Sequence, residues 1–300
     1  MATFTPLLPP RMVPRDQSGP TPLPRPTLNP LPMIQSNLTL TSWLLLGGLI
    51  QGIACMALGP LSLLPTVLVL LYRTIDHVLM ACHITPNRYM TGNIPVKHSA
   101  QAPNPDGTFG SEPASEDIVV FLLGARCNHP LGMFAPGMKY LGDSAGQMME
   151  AMRANPVKYG LLGTTHWLRQ EGNEFLTIFY LRSYDALHRF AHDEEHMEGV
   201  RWWSRVAKEH PHLAIYHETY RVPRGHWENI YINTQPTGLA NTWFPVRDDG
   251  KANQEVVHQW IRPVVDARSG VLRSASKRLQ LAHLAKREQE HDDMYNQPDN

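Results

Sequence analysis

The sequence of Tyr159–Arg182 is YGLLGTTHWLRQEGNEFLTIFYLR, and it predicts a β-hairpin. Apolar, aromatic and β-branched residues fill Tyr159–Arg169 and Glu174–Arg182, which favours two strands. The polar residues Gln170–Asn173 between them are typical of a turn. The neighbouring elements can be placed outward from this hairpin.

Helix and strand patterns flank the hairpin on both sides. Before it, the pattern predicts a strand at Asp117–Ala125 (DIVVFLLGA) and an amphipathic helix at Tyr140–Ala154. After it, the pattern predicts a helix at Tyr184–Glu209, with a kink near Asp193 left open, and strands at Leu213–Val222 and Trp227–Asn233. The chain order is therefore βαββαβ with one extra strand.

This order is that of the ferredoxin-like split βαβ unit, so the fold class is α+β, with the domain at residues 116–247. In such a fold the helices lie on one face of an antiparallel sheet. The opposite face needs a cover, which is often a second copy of the domain. Because many functions occur on this fold, it does not by itself identify an activity.

The segments outside this domain are polar or rich in proline. Ten prolines lie between Pro6 and Pro32, which predicts a disordered leader at residues 1–40. Residues 85–115 are rich in Pro, Gly and Asn and are interpreted as a linker. Residues 248–300 are interpreted as a polar tail with a short amphipathic helix at Val271–Gln289.

No charged residue occurs from Pro26 to Tyr72, which indicates a membrane segment at residues 42–84. About 20 apolar residues suffice for a helix to cross a bilayer. Trp43 and Tyr72 bracket the run, as aromatic residues at membrane interfaces do. Gly59-Pro60 interrupts it, so one kinked helix, a helical hairpin and a buried pair of core helices all remain open. Basic residues are equally frequent before and after the run, so they do not indicate its orientation in the membrane.

The composition excludes several classes of function. Lys+Arg and Asp+Glu both number 27, so the net charge is zero and an electrostatic nucleic-acid binder is not expected. The three cysteines form no CxxC pair, which argues against a disulfide scaffold or a Cys-based zinc site. GxGxxG, P-loop and GxSxG motifs are missing from the sequence. Nothing in it therefore points to a flavin, a nicotinamide or a nucleotide.

Eight of the 15 histidines lie between His166 and His226. His188, His192 and His196 are four residues apart and would share one ridge of a continuous helix. Such a ridge can bind a metal or haem, or it can transfer protons, but a solvated face has the same pattern. His192 and His196 are candidate catalytic residues, and no metal site is assigned.

Alternating residues on the strand Leu213–Val222 form a second candidate group. Tyr216 and Tyr220 share one face with Glu218, whereas His217 lies on the other. His217 is the candidate general base. The predicted substrate pocket combines aromatic residues of the strand with two tryptophans: Tyr216, Tyr220, Trp203 and Trp167.

Two stretches resemble a known family: YDALHRFAHDEEHMEGVRWW at Tyr184–Trp203 and IYHETYRVPRGHWENIYINTQPTGL at Ile215–Leu239. Both are similar to the fungal monooxygenase-like proteins of secondary-metabolite clusters, one of which belongs to the fumagillin cluster. That family is part of the dimeric α/β-barrel superfamily, with the antibiotic-biosynthesis monooxygenases and the haem-containing aldoxime dehydratases. The resemblance extends over Asp117–Val246 and implies a homodimer formed through the sheets and oxidation of an apolar metabolite. His192, His196 and His217 match the family pattern, which assigns them no role.

We therefore expect a membrane-associated monooxygenase that oxidises an apolar secondary metabolite such as a terpenoid or polyketide. It would use O₂ as cosubstrate without a cofactor, in the endoplasmic reticulum membrane, with the catalytic domain in the cytosol. One alternative is a haem-dependent enzyme similar to aldoxime dehydratases. Another is a non-catalytic module that binds a hydrophobic metabolite.

Overall fold

The structure, a computed structural model, describes residues 3–12, 23, 30–169, 171–247 and 257–279. Its strands are β1 (Arg11–Met12), β2 (His98–Ala100), β3 (Ile118–Cys127), β4 (Leu161–Arg169), β5 (Glu174–Leu181), β6 (Leu213–Val222), β7 (Phe244–Arg247), β8 (Val257–Ile261) and β9 (Val264–Asp266). Its helices are α1 (Pro30–Ser36), α2 (Leu40–Leu58), α3 (Leu64–Ala81), α4 (Met138–Ala154), α5 (Tyr184–Ala191), α6 (Glu194–Val206) and α7 (Ala275–Arg278).

A four-stranded sheet of order β4–β5–β3–β6 forms the centre of the structure, and all its pairs are antiparallel. Along the chain, α4 separates β3 from the β4–β5 hairpin, and α5 and α6 separate that hairpin from β6. The α+β class and the predicted βαββαβ order are therefore confirmed.

Alternation along the strands gives the sheet two different faces. The face that carries Val119, Phe121 and Leu123 of β3 packs against α4 and α5, and we call it the helix face. Its core contains the buried residues Val119, Met152, Tyr159, Leu161, Phe179, Leu181 and Phe190. Each large apolar side chain buried in this way stabilises the fold by about 1.5–3 kcal/mol.

The opposite face, which we call the back face, carries Ile118, Val120, Leu122 and Gly124 of β3. The end near Ile118 is covered by loops and by two small sheets, β2–β9 and β1–β8–β7. The covering cluster contains Ile94, Ala100, Ala114, Ile118, Trp227, Leu239, Ala240 and Val264. At the other end, large aromatic side chains of β4 and β6 remain exposed.

The predicted linker at 85–115 and the predicted polar tail at 248–300 are wrong where the structure describes them. Both contribute strands to the back layer, because His98–Ala100 pairs with Val264–Asp266. His98 and Val264 are fully buried. These strands are short and their partners are distant in the chain, so local patterns do not reveal them. Of the predicted helix at Val271–Gln289, the described part contains only a short turn and α7, and residues 280–300 lie outside the described residues.

The predicted strand Trp227–Asn233 is wrong, although its backbone packs on the back layer. Only Tyr231 makes a bridge, with His98. The side chain of Asn229 replaces the missing ladder, since its Oδ1 accepts from Ala100 N at 2.6 Å and its Nδ2 donates to Ala100 O at 3.0 Å. Trp227 is buried and donates from Nε1 to the carbonyl of Glu116 at 2.8 Å. Hydrogen bonds to residues distant in the chain therefore hold this segment in place without sheet pairing.

The predicted disordered leader at 1–40 is wrong for residues 3–12. Arg11 pairs with Trp260, and the amide of Leu7 donates to the carbonyl of Val264 at 2.9 Å. These bonds attach the first described residues to the back layer. Helix α1 is also formed, while most of the residues between β1 and α1 lie outside the described residues.

The predicted helix Tyr184–Glu209 is divided into α5 and α6 at Asp193. Oδ1 of Asp193 accepts from the amide of Glu194 and caps α6. Its Oδ2 accepts from Nζ of Lys158 at 2.6 Å and from the hydroxyl of Tyr159 at 2.5 Å. These donors hold the pKa of Asp193 well below its usual range. A charged cap anchored in this way explains why the helix stops and restarts here.

Helix α2 and the segment Pro60–Ala81 are each long and apolar enough to cross a membrane. The buried share of the apolar stretch is 0% for α2 and 6% for the second segment. Almost none of their surface therefore packs on the rest of the protein. This exposure excludes the buried pair of core helices. Gly59 separates the two helices, and side chains on either side of it bond to each other, so the described arrangement is a hairpin.

Replacing Gly124 by alanine should destabilise the domain, because the ring of Tyr216 lies directly over Gly124. A Cβ at this position would lie 2.0 Å from Cζ of Tyr216. Moving the ring would also break the hydrogen bond from its hydroxyl to Oε1 of Glu174. We expect a loss of about 1–3 kcal/mol in the free energy of unfolding, measured by urea denaturation in detergent.

Gly142→Ala is the matched control, since no atom lies within 4 Å of a Cβ at that position on α4. It should be neutral or stabilising by up to about 1 kcal/mol, because alanine favours helix. In a Tyr216→Ala background, Gly124→Ala should cost little. An equal cost in both backgrounds would contradict this packing.

Candidate active site

A row of four side chains crosses the helix face of the sheet from one edge to the other. Leu123 of β3 lies opposite His217 of β6 on one side and opposite Thr177 of β5 on the other. Thr177 lies opposite His166 of β4. We call these four residues the histidine row. Neighbouring strands are about 4.8 Å apart, so the two histidines stand at opposite edges of the sheet.

His166 is held between two threonine hydroxyls. Its Nδ1 lies 3.0 Å from Oγ1 of Thr177, and its Nε2 lies 3.2 Å from Oγ1 of Thr164. A hydroxyl can donate or accept, so the two threonines accommodate either neutral tautomer. Partial burial lowers the pKa of His166, although the residue as a whole is exposed. The imidazole is therefore neutral at neutral pH.

A shallow cleft opens beside His166, between α4 and the sheet, and the space it encloses is about 20 Å³. Its lining is mostly apolar and consists of Leu23, Met149, Arg153, Leu161, Gly163, Thr164, His166 and Phe179. That space holds about one water molecule, so a substrate can contact the cleft only from its open side. Arg153 supplies a cation, and Glu150 pairs with its Nε at 2.8 Å. That contact raises the pKa of Arg153.

His217, the general base expected from the sequence, lies on the helix face as its strand position predicts. Its ring centroid is 5.7 Å from that of Phe121, and the side chain is exposed. It is not part of the lining of the cleft beside His166. The structure therefore places it in the histidine row but at the other edge of the sheet.

His192 and His196 do not share a ridge, because the helix breaks between them. Nδ1 of His192 lies 2.9 Å from the carbonyl of His188, and Nδ1 of His196 lies 2.8 Å from the carbonyl of Ala191. Both rings thus bond carbonyls near the C-terminal end of α5, which would otherwise lack intrahelical partners. The ring of His196 also packs on Phe190. These contacts explain both histidines by local structure, away from the histidine row.

The predicted aromatic pocket is divided between the two faces of the sheet. Tyr216, Tyr220 and Trp167 lie on the back face, opposite to His217. The hydroxyl of Tyr220 donates to Glu218, which raises the pKa of Tyr220. These three side chains therefore cannot form one pocket with His217.

Trp203 is the one predicted pocket residue on the helix side. It packs with Trp202 and Phe175 around the buried residues Cys127, Ala135, Met138 and Leu213. This cluster lies at the end of the sheet beyond the histidine row. Trp203 is therefore explained by packing between α6 and the sheet.

The described residues do not favour a metal or haem site. Among them, no three His, Cys, Asp or Glu side chains are arranged to hold a metal ion. A haem ligand needs a histidine nitrogen that is free and faces room for the macrocycle. The space enclosed by the cleft beside His166 is about 20 Å³, which leaves no room for the macrocycle, so this site does not fit haem.

The sequence reasoning did not single out His166, Thr177 or Arg153. A partial signal was present, because Thr164 and His166 alternate on a predicted strand and so share a face. The role of Thr164 and His166 in the site depends on Thr177, which must lie opposite His166. That placement is set by the register between β4 and β5. Arg153 enters only through the packing of α4 on the sheet.

His166 should make the domain less stable in acid. Its pKa is lowered in the folded state, so the unfolded chain binds more protons below the ordinary histidine pKa of about 6.5. The free energy of unfolding should therefore fall as the pH drops below that value, and His166→Gln should show a shallower fall. Urea denaturation between neutral pH and pH 5 measures the difference. His192→Gln removes a surface histidine as the control, and equal slopes in wild type and His166→Gln would contradict the assignment.

Comparisons with known proteins agree with the resemblance noted in the sequence. The family described as Monooxygenase af470-like matches residues 118–239. Monooxygenase af470 of Aspergillus fumigatus is 32% identical over 246 residues, which is 80% of this chain and 86% of that protein.

Solved structures are less similar. An aldoxime dehydratase bound to butyraldoxime is 16% identical, with a TM-score of 0.35 over 48% of this chain and 42% of its own, so this chain spans under half of that protein. SnoaB, a cofactor-independent oxygenase from Streptomyces nogalater, is 13% identical, with a TM-score of 0.24 over 35% of this chain and 91% of its own. The sequence match to monooxygenase af470 extends over most of both proteins and therefore decides the family. The chain belongs to the monooxygenase af470-like family and is an oxidoreductase of the monooxygenase type.

Proposed function

We propose that this chain transfers one oxygen atom of O₂ to an apolar secondary metabolite, such as a terpenoid or polyketide, without a bound cofactor. The observation that carries the proposal is His166, a neutral imidazole beside a mostly apolar cleft. It lies inside the segment that matches the family. A base that is unprotonated at neutral pH is what proton abstraction from such a substrate needs.

The chemistry balances with O₂ as the oxidant. His166 removes a proton from an acidic C–H of an enolisable or phenolic substrate, and the electron pair stays on carbon. That pair forms a C–O bond with O₂, and protonation gives a hydroperoxide. Loss of water then breaks the O–O bond, so that CH₂ and O₂ become C=O and H₂O. The substrate carbon supplies all four electrons.

Neighbouring residues have distinct parts in this proposal. Thr177 is a positioning residue, because its hydroxyl holds Nδ1 of His166. Substrate displaces the hydroxyl of Thr164 from Nε2, which then faces the C–H. The guanidinium of Arg153 lines the same cleft and stabilises the negative charge that develops on the substrate oxygen.

His166→Gln should lower kcat by about 10²–10⁴-fold, the usual contribution of a general base. The measurement is oxygen uptake by the protein purified in detergent, with candidate apolar metabolites. His217→Gln is the matched control, because it makes the same substitution in the same row outside the cleft, and it should retain most of the turnover.

Wild-type turnover in His166→Gln would contradict this assignment. A loss found only in His217→Gln would return the base to the residue expected from the strand pattern. The UV–visible spectrum and iron content of the active protein test the absence of a cofactor. A Soret band with stoichiometric iron would overturn that part of the proposal.

We place the protein at the endoplasmic reticulum membrane, with α2 and α3 as the anchor and the catalytic domain in the cytosol. Two exposed apolar helices support an anchor. An apolar metabolite concentrates in the bilayer, so an anchored enzyme meets it there. The three cysteines are unpaired, as is usual in a reducing compartment.

We further propose that two copies pair through the uncovered end of the back face. Trp167 and Tyr216 are 60% and 39% exposed there, which leaves apolar surface on a sheet. Trp167→Glu should therefore lower the mass measured by light scattering in detergent from dimer to monomer. Val200→Glu, on the outer side of α6, is the control. A monomeric wild-type protein would contradict pairing.

A further inference from the structure

We infer that α2 and α3 enter the bilayer as a hairpin whose turn, Gly59–Leu63, ends inside the hydrocarbon and does not reach the opposite surface. Both ends of the hairpin then lie on the side of the catalytic domain. The inference rests on the proposed membrane association and adds the depth and topology of the anchor. Three observations support it: the length of the uncharged legs, the bonds within the turn and the attachments at the base.

The uncharged part of the second leg is too short to span the bilayer, although the whole segment Pro60–Ala81 is long enough. The chain from Pro60 to Tyr72 carries no charge and is followed by Arg73 and Asp76. It consists of one 3₁₀ segment and half of α3, which together rise about 22 Å. The hydrocarbon core is about 30 Å thick. A turn at the far surface would therefore pull Arg73 and Asp76 into hydrocarbon, where charges are strongly disfavoured.

The polar groups of the turn are satisfied within the hairpin. Nε2 of Gln51, from the middle of α2, donates to the carbonyl of Ser62 at 3.2 Å. The hydroxyl of Ser62 donates to the carbonyl of Gly59 at 2.9 Å. The hydroxyl of Thr66 donates to Oε1 of Gln51 at 3.0 Å. A turn in water would not need these partners, whereas a turn in lipid does, because no solvent can replace them.

The turn also has no group suited to a membrane surface. Its residues are Gly59, Pro60, Leu61, Ser62 and Leu63, without a charge or an aromatic side chain. Interfaces are typically marked by Trp, Tyr, Lys or Arg. Trp43, in the first turn of α2, and Tyr72 and Arg73, halfway along α3, lie instead at similar distances from the turn. The pattern defines one interface.

The start of the hairpin is attached to the catalytic domain. The amide of Leu40, the first residue of α2, donates to Oε1 of Glu171 in the β4–β5 turn at 2.9 Å. Just before it, Oδ1 of Asn37 accepts from the amide of Met133 at 3.0 Å. Trp43 is also fixed near this end, since its Nε1 donates to the carbonyl of Gln35 at 3.0 Å.

The end of the hairpin is tied to the chain that returns to the domain. Asp76 forms an ion pair with Arg88, and Nε2 of His77 lies 2.9 Å from the hydroxyl of Tyr89. Polar contacts of this kind belong in water or at the headgroups. They place the last turns of α3 at the same interface as the start of α2.

Cysteine labelling of the full-length protein in sealed microsomes tests the depth of the turn. One variant carries Leu61→Cys with Cys55→Ala, Cys82→Ser and Cys127→Ala. A second keeps the exposed native Cys82 and lacks the other two cysteines. Both are treated with a membrane-impermeant polyethylene-glycol maleimide on intact vesicles, on vesicles opened by a pore-forming toxin, and in detergent.

The expected result is that Leu61→Cys is labelled only in detergent, whereas Cys82 is labelled on intact vesicles. Labelling of Leu61→Cys only after the toxin would show a turn at the far surface and would overturn the inference. Labelling on intact vesicles would show a turn outside the bilayer and would overturn it too. A carbonate wash of the vesicles tests the proposed membrane association separately from the depth of the turn. Release of the protein by the wash would contradict membrane association itself.

Discussion

Backbone pairing of β3 with β5 on one edge and β6 on the other determines which side chains lie together in this domain. It sets Leu123 between Thr177 and His217, and the adjoining pair of β5 and β4 then adds His166. A shift of one residue would move every one of these side chains to the other face. The histidine row and the cleft beside it exist only in this register.

The two faces of the sheet consequently serve different purposes. On the helix face, α4 leaves a mostly apolar cleft beside a histidine held by Thr164 and Thr177. The back face is closed at one end by strands from distant parts of the chain and leaves aromatic side chains exposed at the other. The hairpin α2–α3 attaches at the β4–β5 turn, so one short turn connects the proposed anchor with the strand that carries His166.

Local patterns predicted the central sheet because its strands are long and alternate clearly. The hairpin at Tyr159–Arg182 is the best example, since both ends of β4 and of β5 lie within two residues of the predicted bounds.

The strands of the back layer could not be predicted from local patterns. His98–Ala100 pairs with Val264–Asp266, and neither segment alone has enough residues to show a period. The prediction of one ridge from the regular spacing of His188, His192 and His196 failed for another reason, because the cap at Asp193 breaks the helix that the spacing assumed. The histidine row depends on the register between neighbouring strands, and the sequence alone does not reveal that register.

The back layer has a consequence for how the protein is made. Arg11 pairs with Trp260, and the amide of Leu7 donates to the carbonyl of Val264, so these residues must wait for partners that are synthesised much later. Contacts between such distant segments form slowly, because a long loop has to close. The apolar hairpin leaves the ribosome long before β8 and β9 do. If the hairpin is the proposed membrane anchor, the chain is held at the membrane before its catalytic domain can close, and the domain completes its folding as a tethered polypeptide.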